Sequence, residues 1–228
     1  MALETLLRDS RRNSKFQINS GRCTVDNQQL KLLIATNNAG KLVELRALLN
    51  ESHVQVTSPL LENIDIEVEE NGSSLKENAS LKAKEFNRIS GLPSLSDDSG
   101  LFVAHLNGRP GIHSARYAGP NGSDDDLVNK LLNELDGVEE SKRTAYFECV
   151  IAIIDDHGEE YFFSGRCEGT ISTQRKGNNG FGYDPVFFIP KFDKTMAELT
   201  ESEKNDVSHR SKAMKQAIKF IDTMGINR

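Results

Sequence analysis

Two long β-rich runs, Ala145 to Ile154 and Tyr161 to Ile171, are joined by a short polar segment containing the turn Asp155-Asp156-His157-Gly158. Branched and aromatic residues in runs of this length, joined by a Gly-containing turn, predict a hairpin of long antiparallel strands. Upstream of it, strands and helices alternate. Leu32-Leu33-Ile34-Ala35-Thr36 reads as a short buried strand, and Asn37-Asn38-Ala39-Gly40 as a turn. Leu42, Leu45, Leu48 and Leu49 recur at helical spacing up to about Asn50. Val54-Gln55-Val56 suggests a second strand, and the strict alternation Ile64-Asp65-Ile66-Glu67-Val68-Glu69 a third, with its acids on one face. Leu75, Ala79, Ala83, Phe86 and Ile89 mark a helix ending before Gly91, and Ser94-Leu95-Ser96-Asp97 a short strand running into a loop. Ser123 caps a helix whose first turn holds Asp124, Asp125 and Asp126. Residues 174–185 form a Gly/Asn loop, and a helix from about Ser208 to Thr223 follows. Alternating elements followed by a hairpin predict an α/β fold with a mixed sheet.

Composition excludes several classes. Lys and Arg total 28 against 34 Asp and Glu, a net charge of −6, with 37% hydrophobic and 27% charged residues in 228. This is a globular balance, and the acidic excess argues against a general nucleic-acid coat. The longest wholly apolar run, Val150 to Ile154, is far short of the roughly 18–20 residues of a membrane span. Cys23, Cys149 and Cys167 form no C-x-x-C pair, so zinc ribbons and thioredoxin-like sites lose support and a reducing cytoplasm is the expected compartment. Residues 1–29 carry Arg8, Arg11, Arg12, Lys15 and Arg22 with few large apolar side chains, and read as an N-terminal arm ahead of one domain over 30–228.

Four segments can carry chemistry. Thr36-Asn37-Asn38-Ala39-Gly40-Lys41 joins a buried strand to a helix, where backbone N–H groups, the helix dipole and the lysine favour phosphate. It is not a Walker A loop, since Leu42 stands where the magnesium-binding hydroxyl would be. An ordinary helix start with a solvated lysine is the alternative. Asp97-Asp98-Ser99-Gly100 places adjacent carboxylates at a predicted strand end, with Glu69 available to join them. Such oxygen ligands suit Mg²⁺, and an Asx-turn before Gly100 is the alternative. In Gly177–Pro185, Phe181 and Tyr183 offer rings for a base, Gly182 permits close approach, and Asp184 can accept from a ring N–H; a hairpin loop with aromatic anchors is the alternative. Lys204 and Ser208-His209-Arg210 put cations at a helix start, where they oppose the dipole and imply a bound anion; a solvated basic patch is the alternative.

Taken in order, the segments T-N-N-A-G-K-L-V-E-L (36–45), S-D-D-S-G-L (96–101), P-G-I-H-S-A-R-Y-A-G (110–119), G-N-N-G-F-G-Y-D-P-V-F-F (177–188) and A-E-L-T-E-S-E-K-N-D-V-S-H-R (197–210) resemble the non-canonical purine nucleoside triphosphate pyrophosphatases, the inosine/xanthosine triphosphatase family. The likeness runs from about Leu32 to Ile221. It implies an elongated mixed sheet with flanking helices, forming two lobes around a central nucleotide-binding cleft, usually in a homodimer. It implies Mg²⁺-dependent hydrolysis of ITP, dITP or XTP to the monophosphate and pyrophosphate, a house-cleaning reaction on the nucleotide pool. By the same resemblance Glu69 and Asp98 would bind the metal, with Asp98 as proton acceptor. Thr36, Asn37, Asn38, Ala39, Gly40 and Lys41 would hold the triphosphate, and Ser99 would touch substrate. Phe181, Gly182, Tyr183 and Asp184 would wall the base pocket, while Lys204, His209 and Arg210 would meet phosphate and the 6-oxo edge. Asn37 stands where the family commonly has Gly, His113 where Tyr is common, and the glutamate ligand can slip between Glu69 and Glu70. A pyrophosphatase for other modified nucleotides, a nucleotide sensor and a scaffold are the rival readings; the retained carboxylates disfavour the last two.

Overall fold

The computed structural model describes residues 29–50 and 52–226. The arm expected over 1–29 therefore lies, but for Gln29, outside the described residues. Eight strands form one sheet: β1 (Lys31–Ile34), β2 (Gln55–Thr57), β3 (Ser94–Val103), β4 (Pro110–Gly111), β5 (Thr144–Ile154), β6 (Glu160–Ile171), β7 (Phe187–Ile189) and β8 (Lys194–Thr195). The order is β2-β1-β3-β5-β6-β7-β8, with β4 paired to β3. The β2-β1-β3 part is parallel and the remainder antiparallel, which is the mixed sheet expected. Among the described residues five α-helices flank it: α1 (Ala39–Leu49), α2 (Leu75–Ser90), α3 (Asp124–Glu134), α4 (Glu201–Val207) and α5 (His209–Ile226). Among the described residues no helix is long and apolar enough to cross a membrane.

The hairpin is as long as its sequence implies, pairing Thr144 with Thr170 through Ile154 with Glu160. Asp155 fixes its turn, its carboxylate accepting from the backbone N–H groups of His157 and Glu159 at 2.9 Å each. Alternation along β5 sends Cys149, Ile151 and Ile153 to one face, where they join Leu32, Ile34, Leu45 and Leu95 under α1 and α5. Ala152 and Ile154 face the other way and pack on Ala79 and Ala83 of α2. A separate core, centred on Leu101, Leu127, Leu131, Phe147 and Phe187, lies at the other end of β3 and β5. Full burial of each such side chain is worth about 1.5–3 kcal/mol, so each core can hold its own end of the sheet.

Three local expectations are corrected. Residues 64–69 are extended but join no strand of the sheet. After β2 the chain turns through Ser58–Asn63, with Asn63 at φ 55°, and leaves the sheet edge. The alternation survives without a ladder: Ile64, Ile66 and Val68 pack against Leu33, Ala35 and Phe86, while Asp65, Glu67 and Glu69 face solvent. Second, Asp97-Asp98-Ser99-Gly100 is not a loop but the middle of the ten-residue β3, so the Asx-turn is excluded. Ser96 to Gly100 carry no apolar side chain, so the strand has no hydrophobic signature there; its pairing with β5 from Ser94 to Val103 holds it extended. Third, α4 precedes the last helix. It is short, but Thr200 and Glu203 form a capping box, a signal present in the sequence.

Candidate active site

Strand periodicity decides what the two adjacent aspartates do. Neighbours on a strand point to opposite faces. Asp97 therefore meets the α1/α5 face and Asp98 the α2 face.

Asp97 is fully buried. Its Oδ2 accepts from Nε and Nη2 of Arg210, both at 3.1 Å, and from Ser99 Oγ at 3.2 Å, and it lies 3.3 Å from Lys41 Nζ. Burial alone would raise its pKa, but the charges of Lys41, Arg210 and Lys82 hold it well below the usual carboxylate range. Arg210 also pairs with Glu44 of α1, at 2.5 Å, and Glu44 accepts from Lys204 Nζ at 2.7 Å. Lys204 in turn donates to Asp184 at 2.7 Å. The chain Asp97–Arg210–Glu44–Lys204–Asp184 thus ties α1 and β3 to the Gly177–Pro185 loop. The anions expected to offset Lys204 and Arg210 at the helix start are supplied by the protein itself.

Close packing brings Arg210 there. A Cβ on Gly165 of β6 would lie 2.2 Å from the His209 carbonyl oxygen, so only glycine lets the start of α5 approach the sheet this closely. His209 is buried and stacked on Phe147, with ring centroids 4.6 Å apart and an angle of 12°. Burial, then the neighbouring charges of Arg210 and Lys204, push its pKa well below 6.5, so the imidazole is neutral. The unfolded histidine protonates near pH 6.5 and the folded one does not. Below about that pH the unfolded state binds the extra proton, and the stability due to His209 is lost as pH falls. Thermal unfolding from pH 7 to pH 5 should therefore show a smaller drop in Tm for His209→Phe, which keeps an aromatic ring on Phe147, than for the wild type. Equal slopes would contradict a buried neutral imidazole.

Asp98 accepts from Asn78 Nδ2 at 3.1 Å and from the Ser99 N–H at 3.0 Å, and stands 3.6 Å from Lys82 Nζ. Burial raises its pKa against the opposing pull of Lys82 and Lys41. Lys82 Nζ is also 2.5 Å from Glu70, whose carboxylate and backbone oxygen lie 3.6 and 3.1 Å from the Arg116 guanidinium. Asn78, Lys82, Arg116 and Glu44 were not singled out from sequence, and Glu70 only as the alternative to Glu69 as a metal ligand. A signal existed for two: Asn78 and Lys82 fall on the same helical stripe as Leu75, Ala79, Ala83 and Phe86, and polar residues on an apolar stripe need partners.

Most of these groups line one cleft of about 1140 Å³, whose apolar lining includes Leu127 and Phe147 of one large core and Ala35 and Phe86 from beneath residues 64–68. Thr36, Asn37, Asn38, Lys41, Glu69, Asp98, Ser99, Phe181, Gly182, Tyr183, Asp184, Lys204, His209 and Arg210 all line it, whereas Ala39 and Gly40 do not. In the 36–41 turn, Asn38 caps α1 by accepting from the Lys41 N–H at 2.9 Å, and Asn37 donates to the Ile66 carbonyl at 2.8 Å. Gly40 instead makes room for Phe181: a Cβ there would lie 2.7 Å from the ring. Phe181 is half-buried, with Lys204 Nζ and Arg210 Cζ each 5.6 Å from its centroid. Tyr183 differs from expectation. Its ring is in the core and its hydroxyl donates to the Ser114 carbonyl at 2.9 Å, so of the two rings Phe181 is the one open to a base. Asp184 is buried and receives the Phe181 N–H at 3.1 Å. Glu69 lies exposed on the cleft wall with no protein partner among the described residues, while Glu70 is held by Lys82 and Arg116. His113 is exposed.

The sequence profile of the Ham1 family matches residues 32–220. A dITP/XTP pyrophosphatase of Halalkalibacterium halodurans is 48% identical over 191 residues, covering 83% of this chain and 98% of that protein. One from Methylococcus capsulatus is 47% identical, covering 80% of this chain and 92% of that protein. The solved Ham1 protein of Coxiella burnetii superposes with a TM-score of 0.77 at 38% identity, over 85% of this chain and 98% of that one. That of Staphylococcus aureus gives 0.75 at 40% identity, over 85% and 99%. Profile, sequence and fold agree over nearly all the described residues, and the chain belongs to the Ham1 family.

Proposed function

We propose that this chain hydrolyses the non-canonical purine nucleoside triphosphates ITP, dITP and XTP to the monophosphate and pyrophosphate, removing deaminated purines from the nucleotide pool. The observation that carries the reading is a single cleft that places Lys41, Lys204 and Arg210, the carboxylate of Asp98 and the half-buried ring of Phe181 around one space. The names borne by the relatives support the same chemistry.

The residues present fit a Mg²⁺ ion. Mg²⁺ uses one or two carboxylates, keeps several waters and bridges to phosphate oxygens. Among the described residues Glu69 has no protein partner and no cage of three or more His, Cys, Asp or Glu exists, and Glu69 and Asp98 face the same cleft. Glu69 and Asp98 would hold the ion, which when bound supplies positive charge to the phosphate oxygens and the leaving pyrophosphate. Asp98, oriented by Asn78 and Lys82, takes the proton of the water that attacks the α-phosphate. Lys41 and Lys204 carry the remaining phosphate charge. Phe181 stacks on the purine. His209, as a neutral imidazole, donates to an oxygen at purine position 6, which an adenine amino group cannot accept. The homodimer implied by the resemblance and the cytoplasmic location expected from cysteine usage belong to the same reading.

The test is product analysis of ITP turnover by the full chain. Equimolar IMP and pyrophosphate are expected, with activity lost in EDTA and restored by Mg²⁺. IDP with orthophosphate would overturn the cleavage site, and turnover unaffected by chelation would overturn the metal.

A further inference from the structure

The three consecutive aspartates at the start of α3 do three different things. Asp126 closes the helix cap, its Oδ2 accepting from Ser123 N at 2.9 Å and Ser123 Oγ at 2.6 Å. Asp125 pairs with Arg175, which also donates to the Asp125 carbonyl at 2.9 Å and to Asn129 at 2.8 Å, fastening the near end of the Gly/Asn loop to α3. Asp124 faces the cleft, and its Oδ2 accepts the Gly182 N–H at 2.7 Å, across 58 residues of chain. A favourable helix dipole would need only one of these charges. Asp124 has a partner that dipole considerations alone would not supply.

Gly182 is the second residue of the turn that carries Phe181 and Asp184. Its neighbours are held from other directions. The Phe181 N–H is tied to Asp184, Tyr183 is anchored through Ser114, and Asp184 is tied to Lys204. The N–H at the Phe181–Gly182 peptide is held by Asp124, and rotation of that peptide would move the Phe181 ring away from Gly40 and the two cations.

We propose that Asp124 is a positioning residue for base recognition: by holding the Gly182 N–H it fixes the turn that places Phe181 against the purine. The proposal rests on the nucleotide reading above. It concerns binding of the base rather than the chemical step: a purine held on Phe181 is one whose position 6 meets His209, so the effect falls on KM and on substrate ratio.

The experiment measures kcat and KM for ITP and ATP with the wild type, D124A, D124N and D126A, together with hydrogen exchange at the Gly182 amide. In D124A the ITP-to-ATP ratio of kcat/KM should fall by about tenfold through a higher KM for ITP, with kcat within about threefold, as suits one lost hydrogen bond. Gly182 exchange should speed up. D124N, whose amide oxygen accepts the same N–H, should restore both. D126A should lower Tm through the opened cap while leaving the ratio unchanged. Should D124A fail to fold, D124S, whose hydroxyl stops one bond short, replaces it with the same expected loss. An unchanged ratio in D124A, a D124N as impaired as D124A, or an equal loss in D126A would each overturn the proposal. A wild type with no preference for ITP would instead overturn the nucleotide reading, while the exchange measurement would still report whether Asp124 holds Gly182.

Discussion

Replacing Asp98 with Asn should lower turnover of ITP by about a thousandfold, within the range expected when a positioned general base is removed. The substitution is nearly isosteric. An amide oxygen still accepts the Ser99 N–H, and Lys82 keeps Glu70 as a partner, so the fold should survive. What is lost is the group that takes the proton and one negative charge of the proposed metal pair. Steady-state kinetics with a circular dichroism control separates the two effects. A folded variant within about tenfold of wild-type turnover would show that Asp98 is not the proton acceptor.

Arg210→Met acts on stability. Arg210 and Asp97 are both buried, and Arg210 spans Asp97 and Glu44. Removing it leaves Asp97 with Lys41, and Glu44 with Lys204, as their remaining cationic partners. Breaking a buried ion pair from one side costs about 3–5 kcal/mol, because the other charge stays buried. Urea denaturation should show that loss, and D97N/R210M should recover part of it by neutralising the stranded carboxylate. A loss below about 1 kcal/mol, the value of an exposed pair, would mean that the network carries little of the stability.

The fold was legible wherever hydrophobic periodicity was strong. The hairpin follows from its two β-rich runs and the turn between them, and α2 from residue spacing. Segment 64–69 shows that alternation reports a two-faced extended chain and not a ladder, since a ladder also needs an open sheet edge. The central part of β3 was hidden for the opposite reason. Its Ser-Asp-Asp-Ser-Gly run carries no apolar side chains, and its partners come from afar: Arg210 reaches Asp97 across 113 residues. The site motifs were visible as motifs, but their division of labour was not. That Asp97 anchors Lys41 and Arg210 while Asp98 faces Asn78 depends on both lying within a strand. Tyr183 read as a base platform because an aromatic in a Gly-rich loop carries no mark of its burial; its hydroxyl bond to Ser114 decides that. Glu44 read as one more polar residue on α1, and only the packing of α5 on Gly165 brings Arg210 to it.

The most direct test of the central claim is pyrophosphate release with Mg²⁺ from ITP, dITP, XTP, GTP and ATP measured side by side. Fast release from the first three and slow release from GTP and ATP is the predicted result. Equal rates on all five would contradict a site selective for deaminated purines.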